Sequence, residues 1–337
     1  MKKIGLFTIL LLVAVLPVEA KDFSREVIDM AGRTVKLPPE INRIGTIGAV
    51  GVLNTFVETM GQGTKIYNQM PGNFRSSGRW DMQYKFAPQI AHGPLFEGAN
   101  RELLLENIIM ADLDVCFTMT RETAEILTKN NVPCVYLEWK HPEDVKKAVR
   151  LMGTVLNAEK TALRYIAYFN GKLALAARLT AKIPRVKKPV VLYCNPVQFS
   201  QPHAIAEWWI AAAGGISATA QSGSGSSSGS YNMEDILRWN PAVMILLNRN
   251  IAEDLRQNKM YHDIQAVKNN AFYFIPTVAH TWGNRTPEQP LTVFWAMHKL
   301  HPEIMTYDML AREIKDFYTI FFNYDMTDEQ IRQIING

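Results

Sequence analysis

Between residues 43 and 137, short apolar runs alternate with stretches whose apolar positions recur every three or four residues. Unbroken or alternating apolar runs suit strands, and the wider spacing suits one face of a helix. The pattern predicts a strand at 43–47, a helix at 48–60 closed by Gly61, and a short strand at 65–67. A helix at 102–110, a strand at 113–118, a helix at 122–129 and a strand at 132–137 follow. Alternation of this kind predicts parallel sheets with helices on both faces.

The alternation stops at residues 157–183, which hold no proline. Ala162, Ile166, Phe169, Leu173 and Ala176 fall on one helical face there. About 26 helical residues would span about 39 Å. Gly171 inside the stretch costs only ~1 kcal/mol and does not break it. The alternation then restarts with a strand at 189–194, a helix at 207–213, a helix at 233–239, and strands at 243–247 and 271–275. From Pro302 the chain reads helical to its end. Residues 222–230, rich in serine and glycine, predict a loop. The expected fold is α/β: two lobes with mainly parallel sheets flanked by helices, joined by one long rigid helix. The expected divisions are 1–20 as an export signal, 21–156 as the first lobe, 157–183 as the linking helix and 184–337 as the second lobe.

Composition narrows the functional classes. A chain of 337 residues suits two lobes of roughly 100–150 residues. With 47% hydrophobic and 20% charged residues, extensive disorder is excluded. Lys+Arg 36 against Asp+Glu 32 gives +4, too slight for a nucleic-acid footprint. Lys2 and Lys3 precede an apolar run at 6–16, Pro17 stops it, and Val18 and Ala20 supply small residues for cleavage. That order reads as a cleavable signal peptide and directs the chain to a periplasm. No cysteine follows the run, so no lipid anchor is expected. Cys116, Cys134 and Cys194 each sit in an apolar, β-rich run and read as small core hydrophobes.

Several motifs occur in a fixed order. Residues 27–35 read as a β-hairpin turning at Ala31-Gly32. The segments 105–115 and 233–243 both run apolar, Glu, polar, Ile, then a helix end and a strand. Gly283-Asn284-Arg285-Thr286-Pro287-Glu288 follows near the end. In these features the chain resembles the periplasmic binding proteins of ABC importers, of the class whose lobes share a single backbone helix. The two Glu-bearing segments resemble that family's lobe signatures, with Leu113 where proline is usual and Ala242 where aspartate is usual. Gly283 to Glu288 resembles its late Arg-Ser-Pro-Glu segment.

The resemblance implies a periplasmic receptor without catalysis or intrinsic cofactor, expected as a monomer. Its cargo would be a metal chelate, first an iron(III)-siderophore, then a nickel or cobalt chelate, then haem or cobalamin. Its partner would be an inner-membrane ABC transporter permease. Glu106 and Glu234 match the glutamates that dock each lobe on the permease; both also begin short helices, where a carboxylate favours the helix dipole.

The residues themselves offer a candidate site. His92, His203 and His280 fall in loops after or between predicted strands, where open α/β sheets bind ligands. They are expected to face one another across the cleft, with Arg249 nearby, and to contribute metal donors. No closely spaced His/Cys cluster exists, which suits a chelated metal better than a bare ion. Arg121, Arg249 and Arg285 also lie in predicted cleft loops and suit an anionic cargo, although Arg285 could instead pair with Glu288. Tyr67 and Trp282 are candidate ring walls for a ligand. The segment 45–51 departs from Gly-x-Gly-x-x-Gly and reads as the first strand-to-helix turn. An exported hydrolase would need a serine elbow between strand and helix; the serines of 222–230 follow no strand. A cell-envelope scaffold is the third class considered.

Overall fold

The hairpin at the start of the chain pairs β1 (Arg25–Ile28) with β2 (Thr34–Leu37), antiparallel. Asp29 holds its turn by accepting the N–H groups of Ala31 and Arg33, each at 2.9 Å, while Gly32 supplies the φ of +78°. The computed structural model describes residues 22–75, 78–193, 195–200, 207–222 and 231–337. The segments 1–20 and 223–230, Cys194 and His203 therefore lie outside the described residues.

In the first lobe, β3 (Ile44–Ile47), β4 (Val115–Thr118) and β5 (Cys134–Tyr136) form a parallel sheet in that order. Around it lie α1 (Val50–Thr59), α2 (Gly72–Arg75), α3 (Asp81–Phe86), α4 (Leu105–Met110), α5 (Arg121–Lys129) and α6 (Pro142–Val155). Every residue of β3 and β4 is buried, which is why they read as continuous apolar runs rather than alternating ones. Residues 65–67 contribute only a parallel bridge, Ile66 to Ile44, instead of the expected strand.

The long helix α7 (Glu159–Thr180) follows, 22 residues or about 33 Å. Ala162, Phe169 and Ala176 are buried as expected, but Tyr165 takes the inner place expected of Ile166. α6 packs closely on α7 because Gly153 has no side chain: a Cβ there would stand 2.5 Å from the Ala162 methyl.

The second lobe carries β6 (Val190–Tyr193), β7 (Ile216–Ser217), β8 (Val243–Leu246) and β9 (Phe272–Phe274), all parallel, in the order β7-β6-β8-β9. Its helices are α8 (Trp208–Ala212), α9 (Met233–Trp239), α10 (Arg249–Gln257), α11 (Gln265–Lys268), α12 (Gln289–Leu300), α13 (Tyr307–Phe322) and α14 (Asp328–Asn336). α12 is absent from the sequence reading. Its residues 289–297 are all buried, so it shows no polar face, and Pro290 sits in the first turn, where a missing N–H costs nothing.

One contiguous apolar core runs from β3 and α1 through α7 and α12 to α13, so the lobes share it. Smaller clusters lie under the outer faces of the sheets. Cys116 and Cys134 face each other in register, buried as free thiols, in one of these. No helix among the described residues is long and apolar enough to cross a membrane.

Candidate functional site

The chain leaves β9 into the loop 276–288, and one buried carboxylate organises that loop. Glu288 Oε1 accepts the Ala279 N–H at 3.0 Å, the Trp282 indole N–H at 3.0 Å and the Tyr318 hydroxyl. Its Oε2 accepts the His280 N–H at 2.9 Å and the Thr286 hydroxyl at 2.7 Å. Burial pushes the Glu288 pKa up, and the surrounding donors pull it part of the way back.

This shell changes the reading of Arg285. None of the donors on Glu288 is Arg285, so the alternative of a simple Arg285–Glu288 turn clamp is not formed. Instead Arg285 Nε is buried with no hydrogen-bond partner among the described residues, and burial lowers the guanidinium pKa. A desolvated cation with an unused donor is costly unless an anion meets it.

Arg79, which the sequence reading missed, belongs to the same cluster. Its Nε donates to the Thr277 hydroxyl at 3.0 Å and its Nη2 to the Thr281 hydroxyl at 3.2 Å. The guanidinium lies 5.5 Å over the Trp80 ring. Burial lowers its pKa, and Tyr193 at the end of β6 is close enough to oppose that shift. Gly283 backs onto the same tyrosine: a Cβ at 283 would fall 2.2 Å from the Tyr193 hydroxyl. His280 is 7% exposed, packs at a tilt on Trp80 with ring centroids 4.7 Å apart, and lies against the start of α1 at Gly51. The Arg79 guanidinium, two threonine hydroxyls, a phenol and an imidazole thus gather at the carboxyl ends of β6 and β9, and Arg285 belongs to the same loop. The set can donate many hydrogen bonds to an anion. Among the described residues, no group of three or more His, Cys, Asp or Glu could hold a metal ion.

A buried polar chain fixes this loop to the first lobe. Asn68 Oδ1 accepts the Thr46 N–H at 2.9 Å, and the Thr46 hydroxyl donates to Asn54 Oδ1 at 2.7 Å. Asn54 Nδ2 donates to Gln83 Oε1 at 3.2 Å, and Gln83 Nε2 reaches both the Gly51 carbonyl at 2.7 Å and the Ala279 carbonyl at 2.8 Å. Glu58 on α1 is buried beside this chain. Burial first, then the charge on Glu288, holds its carboxyl well above the usual carboxylate range.

The other expected residues are dispersed. Arg121 is exposed at the rim of the first lobe, 5.6 Å over the Tyr136 ring. The rim also holds Gly48, whose N–H donates to Glu97 Oε2 at 3.1 Å; burial pushes the Glu97 carboxyl up. His92 is exposed at the end of a short helical turn, next to Gly93, which packs against the Tyr67 carbonyl. Tyr67 is 36% exposed beneath the Arg43 guanidinium. Arg249 is drawn away from His280: it donates to the Gly337 carbonyl and lies 4.8 Å over Phe274. Trp282 is corrected outright, since it is fully buried with its indole N–H spent on Glu288 and presents no wall to a ligand. Glu106 and Glu234 are both exposed, and neither caps its helix. α9 is capped by Asn232, with Asp235 returning the bond.

Similarity to known proteins bears on this arrangement. The model of the family described as periplasmic binding protein matches residues 107–279. The molybdate-binding protein MolA of Haemophilus influenzae is 28% identical over 94 residues, and the match spans 27% of each chain. A periplasmic solute-binding protein from Veillonella parvula superimposes with a TM-score of 0.78 at 24% identity, covering 93% of this chain and 97% of that one. The molybdate-bound MolA structure gives 0.75 at 18% identity, covering 90% and 99%. Helicobacter pylori Ceue with Ni(II) bound gives 0.70 at 15% identity, covering 92% and 99%.

Proposed function

The chain belongs to the periplasmic binding protein family of ABC importers, a family of transport receptors rather than enzymes, and from that premise we propose that it captures an anionic metal chelate between its lobes and delivers it to an inner-membrane permease. In this reading residues 1–20 are the export signal, and the lobes 21–156 and 184–337 flank the linking helix 157–183. The observation that carries the anionic cargo is the buried, unpartnered Nε of Arg285, with Arg79 beside Tyr193 and the Thr277 and Thr281 hydroxyls. An iron(III)-siderophore of the catecholate type fits this set. Its oxygens carry negative charge that guanidinium and hydroxyl donors match, and its metal arrives already coordinated. His280 would lie against the chelate, while His92, Tyr67 and Arg121 stand farther out along the first lobe. A nickel or cobalt chelate uses the same donors.

A second reading, a tetrahedral metal oxyanion, is favoured by the similarity to molybdate-binding MolA and by the same guanidinium-rich cluster. Titrating tryptophan fluorescence with iron(III) tris(catecholate) and, separately, with molybdate tests both. Arg285→Gln should weaken the cognate ligand about 10- to 100-fold, the scale of one hydrogen bond to a charged group. Unchanged affinity for both ligands in that variant would remove the anionic reading.

A further inference from the structure

A groove leaves the Thr277–Thr281 turn and follows the lobe boundary, between α3 and the carboxyl ends of β8 and β9, to α14. Its volume is about 570 Å³, the size of a site for a small organic molecule. Met82, Phe274, Ile275 and Ile334 give it apolar walls. Three cations line it, Arg79, Lys85 and Arg249, and no Asp or Glu side chain does, while the Gly337 main-chain oxygen, which lines the groove too, accepts from Arg249. Lys85 belongs to the first lobe and Arg249 to the second, so a guest in the groove meets positive charge from both. Arg249 is also the first residue of α10, and the amino end of that nine-residue helix adds partial positive charge at the wall.

We propose that this groove seats an anionic, apolar arm of the cargo, an aromatic or acyl group bearing a carboxylate or sulfonate; the inference rests on the metal-chelate reading above. Arg79 makes the link. It lines the groove, and its guanidinium bonds the Thr277 and Thr281 hydroxyls of the donor cluster. A chelate held at Arg285 and Arg79 therefore finds, among the described residues, an open path for its organic periphery, and that path is cationic and apolar. A bare oxyanion has no group to place there.

The test uses the whole mature chain and 8-anilinonaphthalene-1-sulfonate, an apolar anion that fluoresces when sheltered from water. N-phenyl-1-naphthylamine is its neutral counterpart. The sulfonate should bind one-to-one and at least tenfold more tightly than the neutral dye. Lys85→Gln together with Arg249→Gln should weaken it about tenfold or more at an unchanged melting temperature. Lys85→Gln alone, which leaves the Arg249 bond to Gly337 intact, should give part of that loss. Iron(III) tris(2,3-dihydroxybenzoate), which carries free carboxylates, should displace the dye; iron(III) tris(catecholate), which lacks them, should not. Equal binding of charged and neutral dyes, or equal binding by the variants, overturns the anion groove. Displacement by neither chelate overturns the assignment to a cargo arm and leaves a site for a separate organic anion. If instead Arg285→Gln changes neither chelate's affinity while the dye results stand, the chelate reading fails and the groove survives.

Discussion

Replacing Glu288 with glutamine removes one acceptor from the centre of the cargo loop and inserts a donor. The carboxylate meets donors on both oxygens, so neither orientation of the amide is harmless. With nitrogen in the Oε2 place it faces the His280 N–H, and in the Oε1 place it faces the Ala279 N–H and the Trp282 indole. At least one buried N–H then loses its partner, at about 1–3 kcal/mol, and the lost bond was to a charged acceptor, which sets the cost at the upper part of that range. Relief of the charge that Glu288 imposes on Glu58 offsets part of it. A net loss of about 2–3 kcal/mol is expected, or a melting temperature lower by roughly 3–5 °C. Differential scanning calorimetry gives the shift, and ligand titration well below the transition gives a second readout. Because His280 and Arg285 ride on this loop, affinity should fall even where the protein remains folded. A Glu288→Gln variant that melts within about 1 °C of the parent and binds normally would refute the role given to the carboxylate.

Three further outcomes follow from the same geometry. Glu58 has a raised folded pKa, so its contribution to stability is full below about pH 4.5, where the unfolded carboxyl is also protonated, and declines as pH rises toward the folded value. Urea unfolding at pH 5 and pH 7 should show the parent losing up to ~1.4 kcal/mol per pH unit that Glu58→Gln keeps; parallel pH profiles contradict this. Gln83→Leu should leave the Asn54 amide with only the Met70 sulfur and take the Gln83 donor from the Gly51 and Ala279 carbonyls, costing about 2–4 kcal/mol and widening the difference between free and bound small-angle scattering profiles. Glu106→Gln with Glu234→Gln should leave cargo affinity intact and abolish uptake, because neither residue caps its helix; uptake at normal expression would end the docking assignment.

The strands of both lobes were legible because parallel strands covered on two faces are apolar throughout, as in β3, β4 and β8. α12 was hidden by the same property in a helix: buried on every side, it offers no stripe to count. Arg79 was hidden because residues 70–79 are glycine-bearing and show no regular spacing, and the segment forms only short helices. Trp80 packs at a tilt against His280, and that contact is what brings Arg79 to the cluster. Arg285 was singled out as a cleft residue, but its unpartnered Nε follows from Glu288 being saturated by other donors, which no spacing reveals. Trp282 and Arg249 show the converse limit. A position just past a strand marks the right end of a sheet, yet side-chain partners, an inner carboxylate for one and Phe274 with the chain end for the other, decide which way each residue turns.

The shared core constrains how such a receptor signals that it is loaded. If the lobes swung apart as independent bodies, the surface joining α1, α7, α12 and α13 would open. Exposing even ~200 Å² of apolar area costs about 5 kcal/mol. A ligand needs about 5.5 kcal/mol of differential affinity to drive a two-state equilibrium from 1:99 to 99:1. A wide hinge motion would therefore take nearly all the selectivity the cargo can supply between states. The Gln83 bridge adds a polar penalty to the same motion, because separation breaks the Gln83 bond to the Ala279 carbonyl of the second lobe. If the loop 276–288 and the groove cations receive the cargo as proposed, the economical response is local: they settle on it while α7 keeps the lobe spacing. The permease would then read cargo through small adjustments between two lobe surfaces of nearly constant separation, which is the geometry that exposed glutamates on α4 and α9 are suited to report.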